Sequence, residues 1–105
     1  NNMEQTQHLT GFATDRIHSL CRQHKVDKLF VFGSVLTDRF TPQSDVDFAV
    51  CFSDISLENY ADNYFSLKDG LQEALGRPID LVEYKAISNP YFLKSIDATK
   101  QMIYG

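Results

Sequence analysis

Residues 29 to 48 read Leu29-Phe-Val-Phe-Gly-Ser-Val-Leu-Thr-Asp-Arg-Phe-Thr-Pro-Gln-Ser-Asp-Val-Asp-Phe48. Four apolar residues, Leu29 to Phe32, run without alternation into Gly33-Ser34. That is the pattern of a strand buried on both faces and ended by a turn. After a spacer of ten residues, Asp45-Val46-Asp47-Phe48 opens a second strand-like run that reaches Phe52. A period of two turns Asp45 and Asp47 to one side, about 6 to 7 Å apart. Val46, Phe48 and Val50 then cover the other side. A small pair after a buried strand, beside two convergent carboxylates, suggests a site for a phosphate and its metal ions. The pieces are weak singly. Asp fills ten of 105 positions, so about one Asp-x-Asp is expected by chance. Their order carries the information.

A third acid lies downstream, in Pro78-Ile79-Asp80-Leu81-Val82-Glu83-Tyr84, another strand-like run. The run alone leaves Asp80 equally readable as a carboxylate on a solvated strand face. Buried, it would need a partner or a metal, and with Asp45 and Asp47 nearby a three-carboxylate metal site becomes the better reading.

Together, Gly33-Ser34, the spacer, Asp45-x-Asp47 and the later Asp80 resemble the DNA polymerase beta-type nucleotidyltransferase superfamily. The short chain and the spacing resemble the minimal nucleotidyltransferases (MNT), the antitoxin half of HEPN/MNT toxin–antitoxin pairs. The resemblance covers residues 26 to 105. It implies that Asp45 and Asp47 bridge two Mg²⁺ ions, with Mn²⁺ a substitute, and that Asp80 ligates one of them and favours deprotonation of the incoming hydroxyl. It also implies that Gly33 and Ser34 hold the β- and γ-phosphates of ATP. Many relatives place an arginine within three residues of the Gly-Ser; here Val35, Leu36 and Thr37 stand there, and Arg39 is the late candidate for the triphosphate.

The acceptor implied by the resemblance is a tyrosine of a HEPN toxin, which receives AMP. HEPN toxins carry an Arg-x4–6-His motif. Arg16, Arg22, Arg39 and Arg77 are followed by no such histidine, so the toxin is expected as a separate chain, in a hetero-oligomer. Two other readings remain: an antitoxin that neutralises its toxin by binding alone, and a small-molecule nucleotidyltransferase resembling the aminoglycoside-modifying enzymes.

Composition sets wider bounds. The length fits one domain, residues 1–105. A hydrophobic content of 43% argues for a folded core and against disorder. The net charge is −4 and no basic stripe appears, so long nucleic acid is a poor partner. A nucleotide carried by metal ions escapes that objection, because the cations supply the positive charge. Cys21 and Cys51 read as small core residues of a reducing cytoplasm rather than a disulfide. No run is long enough to span a bilayer and no signal peptide is apparent, so a cytoplasmic protein is expected. Asn1 and Asn2 precede Met3, the expected native start, and are set aside.

Along the chain, Leu9, Phe12, Ala13, Ile17, Leu20 and Cys21 form a helical stripe within residues 6 to 24. His8, His18 and His24 make no ligand pair at helical spacing and read as surface residues. Ser34 is expected to cap a short helix from Val35 to Arg39 or Phe40, whose N–H groups would face an anion. A long helix, Leu57 to Leu75, has Leu57, Tyr60, Ala61, Tyr64, Leu71, Ala74 and Leu75 as its expected buried face and is stopped by Gly76-Arg77-Pro78. A last helix starts at Ser88-Asn89-Pro90, with Phe92, Ile96, Thr99 and Ile103 on one face, and runs to Gly105. The order α-β-α-β-α-β-α suits an α+β fold: a small mixed sheet of three to four strands with helices packed on it.

Overall fold

The computed structural model describes residues 13–37, 41 and 43–105. Helix α1 (Thr14–Gln23) leads into β1 (Val26–Phe32), and a 3-10 turn (Gly33–Leu36) follows. After β2 (Val46–Phe52) come the long helix α2 (Leu57–Leu75), β3 (Ile79–Glu83), a second 3-10 turn (Tyr84–Ala86), α3 (Pro90–Thr99) and β4 (Gln101–Tyr104). The strands lie in the order β3-β2-β1-β4. β1 pairs antiparallel with β2 and β4, and β2 pairs parallel with β3. Parallel neighbours need a crossover, which α2 supplies.

The sheet is covered on both faces, as the unbroken apolar run of β1 requires. Alternation sends Leu29 and Val31 of β1, and Val46, Phe48 and Val50 of β2, into one cluster with Ile17 and Cys21 of α1 and Leu67 and Leu71 of α2. Phe30, Phe32, Ala49 and Cys51 go to the other face, where Ile96 of α3 closes a smaller cluster. Both cysteines are free and buried, and burial pushes the Cys21 thiol up to about 12.

The expected long helix has the bounds observed, and Gly76 ends it in the left-handed conformation at φ 67°. Its buried face differs. Leu57 is 94% exposed, whereas Leu67, absent from the expected stripe, is fully buried. Tyr60 makes that turn's contact with Phe52 of the sheet, while Leu57 points into solvent. The tail differs too. Asn89 caps α3 by accepting from the Tyr91 and Phe92 N–H groups, but the helix stops at Thr99 and the chain turns out through Lys100 into β4. The open edge of β1 offers a ladder of backbone partners, and Met102 pairs opposite Phe30 there. The helix expected after Ser34 is a single 3-10 turn over Gly33–Leu36; Phe32, not Ser34, stands at its cap. Leu9, Phe12, His8 and Arg39 lie outside the described residues.

Candidate active site

Strand register assembles the acids. Asp47 on β2 is the direct partner of Asp80 on β3, and partners on neighbouring strands project from the same face, about 4.8 Å apart in backbone. That face is the one α3 covers only in part. Ile79 and Leu81 turn into the large core, so alternation leaves Asp80 outside it, exposed to solvent. Asp45 stands just before β2 and is exposed as well. Its loop is braced: the Thr41 N–H donates to Ser44 Oγ at 3.0 Å, and Arg77 donates to the Thr41 and Ser44 carbonyls at 3.3 Å each.

The electrostatics show how closely the acids meet. Burial pushes the Asp47 carboxyl up to about 6, aided by the charge of Asp80, a hydrogen bond shared with Asp80, and the charge of Asp45. Asp47 and Asp80 thus form a touching pair with Asp45 beside them. Among the described residues no group of three His, Cys, Asp or Glu side chains stands so that it could hold a metal ion. The donor chemistry nonetheless fits a hard divalent cation, which takes carboxylate oxygens and keeps waters for its other positions. A cation would also relieve the crowding of negative charge that raises Asp47.

Gly33 sits directly over this pair. Its φ is 83°, and a Cβ added there would run into the Asp47 carboxylate. The position therefore needs glycine twice, for its left-handed backbone and for the space. The Ser34 carbonyl accepts from the Thr37 N–H at 2.9 Å and the Thr37 hydroxyl at 2.8 Å, which closes the turn.

Two clefts flank Phe32. One, of about 370 Å³, is lined by Asp47 and Asp80 together with Tyr64 and Lys68 of α2 and Phe92 of α3. The other, of about 390 Å³, is lined by Gly33, Ser34 and Thr37 of the turn and by Ser95 and Thr99 of α3. Of the residues singled out in the sequence, Asp47 and Asp80 line one cleft and Gly33 and Ser34 the other, while Asp45 stands exposed just before β2. The sequence reading passed over Tyr64, Lys68 and Phe92 as cleft residues. The spacing of Tyr60, Tyr64 and Lys68 by fours was a signal that one stripe of α2 continues toward Asp80. His18 and His24 are not bare surface residues: His18 Nε2 donates to the Ile103 carbonyl at 2.9 Å, and His24 bridges the Leu20 carbonyl and Ser66.

Comparison with known proteins agrees with this geometry. Residues 15–105 match the family described as "Polymerase beta, Nucleotidyltransferase". A Methanocaldococcus jannaschii protein named "Putative protein adenylyltransferase MJ0128" is 38% identical over 85 residues, 81% of this chain and 82% of that one. A crystal structure of a toxin–antitoxin with AMP-PNP superposes with a TM-score of 0.68 at 26% identity, over 88% of this chain and 73% of that chain. A tri-AMPylated Shewanella oneidensis HEPN toxin in complex with MNT antitoxin gives a TM-score of 0.64 over 91% of this chain and 72% of that chain; at 22% identity, that likeness speaks for the fold. No helix among the described residues is long and apolar enough to cross a membrane.

Proposed function

The chain belongs to the polymerase beta nucleotidyltransferase family, and from that premise we propose that it is a metal-dependent protein adenylyltransferase acting as an antitoxin, which moves AMP from ATP to a tyrosine hydroxyl of a partner HEPN toxin. The observation that carries this is the meeting of Asp47 and Asp80 across paired strands beneath a glycine with no room for a side chain. The adenylyltransferase name of the relative and the AMP-PNP of the structural neighbour favour ATP as donor and a protein as acceptor.

In the step itself the acceptor oxygen bonds to the α-phosphorus, the bond from that phosphorus to the β-bridging oxygen breaks, and pyrophosphate leaves with the electron pair. Asp45, Asp47 and Asp80 would hold Mg²⁺, which offsets the negative charge gathering on the phosphate. Asp80, which lines the cleft and is exposed, would take the proton of the entering hydroxyl. Gly33 lets a phosphate come close to the backbone of the turn, and Ser34 adds a hydroxyl at the lip of the second cleft. Arg39, outside the described residues, is retained as a candidate phosphate contact.

Labelled ATP, Mg²⁺ and a HEPN protein from the same genome provide the test. Label should pass to a toxin tyrosine with the wild type and fall by at least about a hundredfold with Asp47→Asn, the scale of losing a group that acts in the transition state. Neutralisation of the toxin by Asp47→Asn, with no label transferred by either protein, would establish the binding-only antitoxin instead.

A further inference from the structure

Helix α2 is fastened to the free edge of β3 by a ladder of side chains. The Tyr60 hydroxyl donates to Glu83 and the Tyr64 hydroxyl to the Leu81 carbonyl, while the Ile79 N–H donates to Gln72 Oε1 at 3.3 Å. The first two rungs match because four helical residues rise about 6 Å and two strand residues about 6.6 Å. Lys68 is the position midway between Tyr64 and Gln72, as Asp80 is midway between Leu81 and Ile79. There is no rung for it to make. The Pro78 carbonyl accepts from the Val46 N–H of β2 at 3.3 Å, so alternation turns the Asp80 backbone toward β2 as well and leaves the edge bare at that level.

Lys68 instead lines the cleft that holds Asp47 and Asp80. The ion pairs among the described residues, Arg16 with Glu73 and Lys100 with Asp97, leave it out. Its stem is half-buried, so the ammonium is carried on a supported arm rather than waving in solvent. The turn that lines the neighbouring cleft, on the other side of Phe32, provides no cation in its described part. Val35 and Leu36, which follow Ser34, are spent on the core, and Thr37 closes the turn.

We infer that Lys68 is a contact for the nucleotide's phosphate chain, reaching from α2 into the cleft to supply the positive charge that Val35, Leu36 and Thr37 do not. A lysine suits this role as a compact point charge on a flexible arm. The inference rests on the nucleotidyl-transfer reading of the same cleft.

Binding of a non-hydrolysable ATP analogue with Mg²⁺, measured by calorimetry on the full chain, tests it without any acceptor. Lys68→Gln should weaken binding by about tenfold or more, the loss of a charged hydrogen bond, and flatten its salt dependence. Lys68→Arg should stay within about threefold of wild type, since the charge is kept. Lys68→Met replaces the Gln variant if that one loses its cooperative melt. Wild-type binding by Lys68→Gln, an Arg variant as weak as the Gln variant, or a wild type that binds no analogue would each overturn the inference. Binding that follows the expected order, with no label ever reaching a protein acceptor, would uphold Lys68 and remove the transfer reading.

Discussion

Asp47 is held by burial and by two neighbouring acids at a carboxyl pKa of about 6, against an ordinary value of 3.8. The sign of the consequence follows from linkage. Between those two values the folded chain binds more protons than the unfolded one, so this group's contribution is favourable at low pH and is lost as pH rises through about 6. Asp47→Asn should therefore stabilise the metal-free protein at pH 8 by about 1 kcal/mol, after discounting for solvent screening of a half-exposed group. The gain should vanish near pH 4. Urea midpoints at the two pH values, with divalent ions chelated, check it; an equal gain at both would mean that charge is not the cause. The strand that carries Asp47 was legible in the sequence from its apolar run, although Asp45, expected on it, falls one residue before it. That Asp80 is the direct partner of Asp47 was not, since register between parallel strands depends on the whole crossover.

Individual elements were legible where local chemistry punctuates them. Gly76 marks the end of α2 and Asn89-Pro90 the start of α3, each through a backbone preference that no tertiary contact overrides. The face of α2 was harder to read. Leu57 and Ala61 have the right spacing, but a stripe matters only along the length that overlies the sheet. Leu67→Ala should cost about 2 to 5 kcal/mol, and Leu57→Ala should stay within about 0.5 kcal/mol. Chemical denaturation of the two variants separates the faces, and a Leu57 variant as unstable as the Leu67 one would contradict the packing described. β4 escaped notice for a related reason. Ile96, Thr99 and Ile103 keep helical spacing, no glycine or proline divides them, and the pull toward a strand comes from β1, some seventy residues earlier.

Across the molecule, the strand order β3-β2-β1-β4 places the acidic cleft along one side of the sheet and leaves β4 as the opposite border. β4 is short, and Met102 on it is half exposed, yet it occupies the flank of β1 with Tyr104 opposite Leu29 and Gln101 opposite Val31. β1 has no charge or proline between Leu29 and Phe32 to discourage a foreign strand, and its ladder with β4 is irregular between Leu29 and Phe30. The four residues of β4 thus act as a selvedge, keeping an adhesive fabric from joining the next piece of cloth. Trimming the chain after Lys100 should leave the acidic cleft in place but make the protein self-templating, with thioflavin-positive fibrils or higher oligomers growing with concentration. A trimmed chain that stays monomeric in light scattering at several hundred micromolar would show that β1 is guarded by something other than β4.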